Sequence, residues 1–493
     1  MKDFLIPKEV KDTGDALIRG GFQAYLVGGC VRDLFTGKEP NDWDITTDAT
    51  PDEIQKLFPE SVYENDFGTV GIKTESDIPS LKIVEVTTFR IEGEYSDNRH
   101  PDHVTFAKTV EEDLARRDFT VNAMAFSLTN KKRQTTDDML VDPFGGANDL
   151  KKKVIRAVGN AEDRFEEDAL RLMRAVRLAT QLNFSIEEKT KRAIVKKSKL
   201  LRAIAVERIR DEFQKLIMTP HAADGIFSLE EYGLLQFILP ELRAGIGCAQ
   251  NKHHKYTVFE HNVRALEYAA KKEFSLAVRL ASLLHDVGKP ETKRGKGGEA
   301  TFYNHEMVGA RMAKNALLRL KFSNDLVDRV RHLIRYHMFY YNVGEVSESG
   351  VRRFIARVGV ENIDDILRVR EADRIGSLVP KAFPYKLRHL VFMIEKVRHD
   401  PVHPKMLAFK GDDIMKALGI GPGKKIGYIL FILLEDVLDD PSRNTKEYLE
   451  TRVHELGDLS EEDLEARAED ARKKRDEAEE KIEGDMKKRH FVQ

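Results

Sequence analysis

A chain of 493 residues is too long for one hydrophobic core, and we expect about three or four domains. Its 41% hydrophobic and 33% charged residues predict a helix-rich globular protein, and no apolar run approaches the ~20 residues of a membrane-spanning helix. The formal net charge of -2 excludes a general attraction to nucleic acid, although a local basic patch stays compatible with it.

The cellular compartment is predicted from the first residues and from the cysteines. The amino-terminal residues lack the apolar core of a signal peptide. Cys30 and Cys248 lie far apart in the sequence, which argues against a disulfide framework. We therefore expect a cytoplasmic protein that has no membrane partner.

Two glycines and two aspartates near the amino terminus form the first candidate site. Residues 1–20 predict an amphipathic helix, and an apolar strand then ends at Gly28 and Gly29, where a second helix begins. On the next predicted strand Asp42 and Asp44 are two residues apart, so their carboxylates share one side. Paired carboxylates can hold Mg²⁺, and glycines before a helix let backbone N–H groups approach phosphates. This pattern predicts a nucleoside triphosphate site.

Two alternating segments, 69–74 and 81–89, predict neighbouring strands of the same sheet. Glu85 in the second is either a third acid that faces the metal site or a glutamate in solvent. Residues 91–102 break the periodicity and predict a loop, which could act as a lever when the bound nucleotide changes.

The segment ARRDFTVNAMAF, residues 115–126, adds nucleotide-binding candidates at what we interpret as a helix start. Arg117 offers a planar guanidinium that suits a triphosphate. Asp118 is an acceptor for ribose hydroxyls, and Asn122 is a neutral donor and acceptor.

Six motifs, in this order and spacing, resemble those of class II tRNA nucleotidyltransferases, the CCA-adding enzymes and their bacterial poly(A) polymerase relatives, whose head belongs to the DNA polymerase β superfamily. They are GGCVRD, DWDIT, EVTTFR, ARRDFTVNA, DPFGGANDL and EEDALRLMRAVRLA, within residues 22–220. The resemblance implies an α+β fold with a small mixed-sheet head and a mostly helical remainder. It also implies addition of CCA to the tRNA 3′ end from CTP and ATP, with Mg²⁺ at Asp42 and Asp44 and the triphosphate at Gly29, Arg32 and Arg117.

The neck of such an enzyme is predicted to begin near residue 151, with one long helix in FEEDALRLMRAVRLATQL. Asp168 and Arg171, three residues apart, would emerge side by side on this helix. Such a pair is often a surface salt bridge, but it can also read the pairing edges of cytosine and adenine. The resemblance implies this base-selecting role for them, with further nucleotide contacts from Arg174 and Arg177.

A dense basic cluster follows the neck helix, and it is either a solvated helix face or a contact for the tRNA backbone. Its members are Lys189, Lys191, Arg192, Lys196, Lys197, Lys199 and Arg202.

A second set of metal-ligand residue types is spread over residues 255–380, and its order resembles that of the HD phosphohydrolase superfamily. Imidazole and carboxylate groups together suit a divalent metal. The resemblance implies a minimum set of four residues and a two-metal version with two more histidines, binding Mn²⁺, Ni²⁺ or Mg²⁺. The four are His261, His285, Asp286 and Asp373, and the two more are His305 and His337. A substrate would be a cyclic phosphate or a phosphomonoester at an RNA end.

Four domains are predicted: a catalytic head (1–150), a neck (151–245), an HD domain (246–400) and a helical tail with a charged extension (401–493). The main functional alternatives are a poly(A) polymerase and an enzyme that adds only A or only CC. Alternatives of another class are a signalling uridylyltransferase and an HD phosphohydrolase whose head only binds RNA. The oligomeric state stays open.

Overall fold

The computed structural model describes residues 5–65, 68–92, 104–129, 139–250, 255–295, 300–378 and 381–471. The described residues form two compact units. The first unit contains the residues up to Arg243 together with Ala316–Phe322. The second contains Ala244–Asn315 and the residues from Ser323 onward. Most of the segment predicted as a lever, 93–102, lies outside the described residues.

The first unit contains a seven-stranded mixed sheet in the order β3-β4-β5-β2-β1-β8-β9 and two small two-stranded sheets, β6-β7 and β10-β11. The strands are β1 Ala24–Val27, β2 Asp44–Thr47, β3 Ser61–Asn65, β4 Thr69–Lys73, β5 Ile83–Thr88, β6 Arg90–Glu92, β7 Val104–Phe106, β8 Ala125–Ser127, β9 Leu140–Val141, β10 Val154–Ile155 and β11 Ser185–Ile186. Strand β1 is antiparallel to both neighbours, whereas β2 and β5 are parallel. The predicted pairing of segments 69–74 and 81–89 is confirmed by β4 and β5.

Helices surround this sheet and form the rest of the first unit. They are α1 Lys8–Arg19, α2 Gly29–Thr36, α3 Pro51–Leu57, α4 Val110–Ala115, α5 Gly146–Lys152, α6 Ala161–Glu167, α7 Leu170–Leu182, α8 Glu188–Lys197, α9 Val206–Ile217, α10 Ala222–Glu231, α11 Leu235–Ile238 and α12 Pro240–Arg243. Local sequence explains where several begin. Thr50 and Glu53 form a capping box before α3, and Pro51 occupies its first position, where a missing N–H costs nothing.

The second unit is mainly helical in its described part. Its helices are α13 Val258–Lys271, α14 Leu276–Leu284, α15 Lys289–Thr292, α16 His305–Arg319, α17 Asn324–Tyr336, α18 Glu348–Val358, α19 Ile363–Gly376, α20 Tyr385–Lys396, α21 Gly411–Leu418, α22 Lys424–Asp439 and α23 Lys446–Gly457. The residues of α16 from Ala316 onward belong to the first unit. Helices α13, α14, α17 and α19 pack against one another and bury an apolar core. The mixed-sheet head and the helical remainder confirm the predicted α+β fold class.

Across the described ranges, every helix is too short or too polar to span a membrane.

Candidate functional sites

The glycine turn after β1 keeps a gap open between two charged side chains. Gly28 has φ 78° and ψ -133°, a backbone conformation that is essentially restricted to glycine. A Cβ atom at this position would lie 3.1 Å from Nη1 of Arg117 and 3.6 Å from Oδ2 of Asp44. The missing side chain therefore leaves space where a guanidinium and a carboxylate converge, and Gly29 then opens helix α2.

The two aspartates lie at the start of β2, one in the strand and one before it. Asp44 begins the strand, but Asp42 lies in an exposed bend before it, so the prediction that both occupy one strand is wrong. The ladder starts only at Trp43, whose carbonyl accepts from the Glu85 N–H at 3.3 Å. Burial raises the pKa of Asp44, the charge of Arg117 opposes this rise, and the charge of Asp42 adds to it. The two carboxylates are thus close enough to repel, which a divalent cation would relieve.

Glu85 is the direct neighbour of Asp44, because the two residues are register partners on the parallel strands β5 and β2. Side chains of register partners stand on the same side of a sheet. Glu85 is nevertheless solvent-exposed. Among the head residues that the structure describes, no three acidic or histidine side chains bring ligand atoms within 4.8 Å of one another. A metal held here would need further oxygen ligands, which triphosphate oxygens can supply.

Arg117 is fixed by a buried carboxylate that the sequence reasoning missed. It follows the end of α4 and does not start a helix, so that part of the prediction is wrong. Asp113, which is fully buried, binds Arg116 at 2.7 Å and Arg117 at 3.2 Å. Burial would raise the pKa of Asp113, but the two guanidinium groups outweigh it and lower that pKa. The spacing of Asp113 on α4 (i, i+3 and i, i+4) was the available signal.

A chain of hydrogen bonds leads from the head to the neck helix. Arg32 donates to Asn122 Oδ1 at 2.7 Å, and Asn122 donates to Asp118 Oδ1 at 3.3 Å. Arg174 on α7 completes the chain with two bonds to Asp118 Oδ2, at 2.6 and 2.8 Å. Burial would raise the pKa of Asp118, but the Arg174 charge outweighs it and lowers the pKa to about 2. Four of the predicted nucleotide-binding residues are therefore directly linked.

The predicted long neck helix is in fact two helices, α6 and α7, and Asp168 lies at the break. Its backbone is extended (φ -136°, ψ 103°), and its carboxylate accepts the Leu170 N–H at 3.0 Å. Arg208 on α9 binds the same carboxylate at 2.9 Å. The expectation that Asp168 and Arg171 emerge side by side from one helix is wrong, because Asp168 lies before α7 and only Arg171 lies on it. Arg171 binds Glu167 at 2.6 Å.

Arg171 still reaches the head site. Its Nη2 donates to the carbonyl of Arg116, the residue before Arg117, at 3.2 Å. Arg177 lies farther along α7 and points elsewhere, donating to Glu212 of α9 at 2.9 Å and to Gln181 at 2.9 Å. The structure therefore brings Arg171 and Arg174 to the head and holds Arg177 against α9.

The basic cluster on and after α8 is partly neutralised. Ion pairs join Lys191 to Glu231, Arg192 to Glu188, Lys196 to Glu162, and Lys197 to Glu166. Lys189 and Lys199 are exposed, and Arg202 lies over the ring of Phe237 at 4.9 Å.

All six predicted metal-binding residues of the second unit converge at the core of its helices. Asp286 is the common neighbour, because one of its oxygens lies 3.2 Å from His261 Nε2 and the other 3.2 Å from His305 Nε2. His285 Nε2 lies 2.9 Å from His261 Nε2, and Asp373 lies 3.3 Å from the same atom. His337 completes the cluster at 3.8 Å from Asp286.

The histidines are oriented by their other ring nitrogens. Nδ1 of His285, His305 and His337 each lies 2.7 to 2.8 Å from the backbone carbonyl three residues earlier, which leaves Nε2 facing the cluster. Within the described part of the chain, Nε2 of His305 and His337 is buried and has no hydrogen-bond partner. Metal-ligating histidines are normally held by such bonds at the other nitrogen. The donor set therefore fits a metal ion.

Two donor groups share one carboxylate. His261, His285 and Asp286 form one, and Asp286, His305 and His337 form the other; within each, the ligand atoms lie within 4.8 Å of one another. Burial opposes protonation of His285, but Asp286 and Asp373 outweigh it and raise its pKa to about 10. Burial and the neighbouring His285 lower the pKa of His337 to about 3. The two carboxylates thus favour a positive charge beside them at His285, whereas His337 stays neutral.

The fold and these sites define a nucleotidyltransferase head joined to an HD domain. Three family models match: Poly A polymerase head domain at residues 24–156, Probable RNA and SrmB-binding site of polymerase A at 183–246, and HD domain at 258–375. Domains of the first and third kinds generally use divalent metals.

Known relatives define the family. The CCA-adding enzyme of Enterococcus faecalis is 32% identical over 464 residues, which covers 91% of this chain and 97% of that enzyme. The A-adding tRNA nucleotidyltransferase of Deinococcus radiodurans is 38% identical over 348 residues, covering 68% and 76%. The crystal structure of the Bacillus stearothermophilus CCA-adding enzyme in complex with CTP is similar, with a TM-score of 0.67, 27% identity and coverage of 92% and 98%. The chain belongs to the class II tRNA nucleotidyltransferase family of CCA-adding enzymes and is a nucleotidyltransferase.

Proposed function

We propose that this enzyme builds or repairs the 3′-terminal CCA of tRNA from CTP and ATP, without a nucleic acid template. One observation carries the proposal: Gly28 leaves a gap between Asp44 and Arg117, and that gap is tied to the neck helix through Asp118 and Arg174. A triphosphate in the gap would meet a carboxylate pair and a guanidinium, and its base would extend towards the neck. Family membership supports the same reaction.

In the proposed reaction the tRNA 3′-hydroxyl attacks the α-phosphate and pyrophosphate leaves. Asp42 and Asp44 would hold Mg²⁺, which lowers the pKa of the hydroxyl and offsets charge on the phosphate. Gly28 and Gly29 admit the triphosphate close to backbone N–H groups, while Arg117 binds its oxygens and Arg32 lies at the same helix start. Asp118 keeps its predicted role at the ribose, although its carboxylate is here bound by Arg174.

We assign base selection to Asp168 and Arg171, which offer one acceptor and one planar donor. Both are held by other charged residues, so each reaches a base only from a defined position. Arg174 would add a nucleotide contact, and Arg177 keeps its predicted contact although Glu212 and Gln181 here hold it against α9. The basic cluster at 189–202 would contact the tRNA backbone through phosphates. We retain the four domains 1–150, 151–245, 246–400 and 401–493 as part of this proposal.

The deciding experiment incubates tRNA that lacks CCA, and in parallel tRNA that ends in CC, with CTP alone, with ATP alone and with both. Product lengths are read on a sequencing gel. We expect two added residues with CTP, and three with both nucleotides. Continued A addition would identify a poly(A) polymerase, and a single A on a tRNA ending in CC without any C addition would identify an A-adding enzyme. Asp42→Ala should abolish addition, and normal rates in that variant would refute the metal assignment.

The histidine cluster supports a second activity, hydrolysis of a phosphate at an RNA end by water. The buried Nε2 atoms of His305 and His337 favour it, because both face the Asp286 carboxylate, form no hydrogen bond among the described residues and fit a metal ion. Mn²⁺, Ni²⁺ or Mg²⁺ would polarise water and phosphate there. Hydrolysis of a 3′-phosphomonoester would leave a 3′-hydroxyl and inorganic phosphate, which a phosphate assay measures. His285→Ala should abolish this release and leave nucleotide addition intact.

We place the enzyme in the cytoplasm. Cys30 and Cys248 are both free thiols, as expected in a reducing compartment.

A further inference from the structure

A row of rings lies on the outer face of helix α20 in the second unit. Tyr385 and Phe392 expose 60% and 57% of their surfaces. His389 lies between them on the same face, because residues three and four apart on a helix are neighbours. The opposite face of the helix is buried and consists of Leu387, Leu390 and Ile394. A solvent-facing helix surface normally carries polar groups, and here it carries aromatic rings.

Tyr341, from the segment after α17, joins this row. The centroid of the His389 ring lies 5.9 Å from the centroids of the Tyr341, Tyr385 and Phe392 rings. The Tyr341 hydroxyl lies 2.5 Å from Nδ1 of His389. These four residues, which we name the aromatic stripe, therefore form one continuous surface. An exposed apolar patch of this kind marks an interaction site.

The segment that contains most of the aromatic stripe has an excess of positive charge, although Glu348 pairs with one of its lysines, Lys396. Residues 381–400 contain five Lys or Arg and two Asp or Glu. Arg388 is exposed and lies on the same helix face as the stripe. Among the described residues, neither Arg388 nor Arg398 forms a salt bridge to a carboxylate. Aromatic rings that stack on bases, interleaved with cations that meet phosphates, are what single-stranded nucleic acid binds.

The aromatic stripe also begins near the histidine cluster. Tyr341 follows His337 by four residues, so the two Cα atoms are at most about 14 Å apart. Arg370 ties the connecting segment to the cluster, because its Nη1 lies 2.7 Å from Asp373 and 3.8 Å from the sulfur of Met338. An RNA strand on the stripe could thus place its end at the cluster.

We propose that the aromatic stripe binds the last unpaired nucleotides of an RNA strand and directs its 3′-terminal phosphate to the histidine cluster. The choice of a terminal phosphate rests on the hydrolase activity proposed above. The binding of unpaired RNA rests on the rings and charges alone. The stripe would accordingly supply the preference for RNA ends that six metal-binding side chains cannot provide.

The test uses the full-length protein and a fluorescein-labelled six-nucleotide RNA with a 3′-phosphate. In the Tyr385→Ala/Phe392→Ala variant we expect the affinity, measured by anisotropy, to fall by about tenfold or more. Tyr385→Phe/Phe392→Tyr should bind within twofold of the unaltered protein, because stacking is kept. Tyr448→Ala, an exposed tyrosine on α23, is the matched control and should also bind normally. A 4-thiouridine in the RNA should cross-link to peptide 385–396.

Unchanged affinity in the double alanine variant, or cross-links confined to the head, would overturn the proposal. Loss of a dimer in this variant on ultracentrifugation would also overturn it, since the stripe would then join two copies. The two proposals fail separately. Absence of phosphate release with every metal tested refutes the hydrolase but not RNA binding by the stripe. Phosphate release with an unchanged KM in the alanine variant refutes the stripe but not the hydrolase, because we expect a raised KM and an unchanged kcat.

Discussion

At the scale of single residues, the head site depends on one missing side chain and one buried acid. The glycine pair and the two aspartates were predictable, because their residue types and spacing suit a metal and a triphosphate. The role of Asp113 was not predictable from its spacing to Arg116 and Arg117 alone, because charged residues at 111–117 are equally typical of an exposed helix face. Only burial, a property of the packed head, shows that it holds Arg117.

Gly28→Ala should weaken nucleotide addition by more than its effect on stability explains. Both Gly28 and Gly21 have positive φ angles, so alanine at either should cost about 1 kcal/mol or more of folding free energy. Only at Gly28 does the new Cβ meet neighbours, with Arg117 at 3.1 Å, whereas no atom lies within 4 Å at Gly21. We expect a raised KM for CTP and ATP in Gly28→Ala alone. Equal kinetic losses in the two variants, measured beside their thermal melts, would contradict this geometry.

Cys30 should resist alkylation in the folded protein. Burial raises the pKa of its thiol to about 11, and the charge of Asp44 acts in the same direction. A raised thiol pKa means less thiolate at pH 8, and the thiolate is the reactive form. Iodoacetamide at pH 8 should therefore label Cys248, which is partly exposed, well before Cys30. Peptide mass spectrometry with and without urea checks this order, and rapid native labelling of Cys30 would contradict it.

At the scale of elements, the strands and most helices follow from local patterns, but the break between α6 and α7 does not. Residues 165–182 contain neither glycine nor proline, so their sequence predicts one continuous helix. The break exists because the Asp168 carboxylate caps α7 and binds Arg208 on α9, 40 residues later in the chain. A contact at that separation cannot be read from a helical repeat.

Arg208→Ala should reduce the accuracy of base selection, since it releases the Asp168 carboxylate from its position. We expect a lower kcat/KM for CTP and ATP, by about tenfold, which equals about 1.4 kcal/mol of transition-state stabilisation. The kcat/KM for UTP and GTP should fall less, so the ratio of correct to incorrect nucleotide incorporation should decrease. Lys215→Ala, an exposed change on the same helix, is the control. Unaltered discrimination in Arg208→Ala would show that Asp168 needs no such support.

At the scale of the whole molecule, the chain joins a nucleotidyltransferase head to an HD domain, and its described residues form two compact units. Both domains were predictable from ordered motifs, and so was the convergence of the six candidate metal ligands. Their arrangement into two donor groups with one shared carboxylate needed the packing of α13, α14, α17 and α19. The sequence identifies the candidate ligands, but only the folded structure shows which of them are neighbours.

Metal binding should stabilise the second unit. A ligand that binds only the folded state adds about 2.7 kcal/mol at a concentration of 100 Kd. Mn²⁺ should therefore raise the temperature of an unfolding transition measured by scanning calorimetry, and chelation by EDTA should lower it. His337→Ala should reduce this shift, whereas His454→Ala, which removes an exposed histidine of α23, should keep it. An equal response of both variants to Mn²⁺ would rule out the cluster as the binding site.

The paired arginines of the neck have a consequence for how the enzyme responds to ionic strength. Arg171, Arg174 and Arg177 already contact Glu167, Asp118 and Glu212 before any nucleotide arrives. In the proposed function an incoming anion would displace these internal carboxylates, so that binding would exchange one ion pair for another. Added salt weakens both pairs alike. The affinity of the neck for a nucleotide should consequently change less with salt than its three positive charges would suggest.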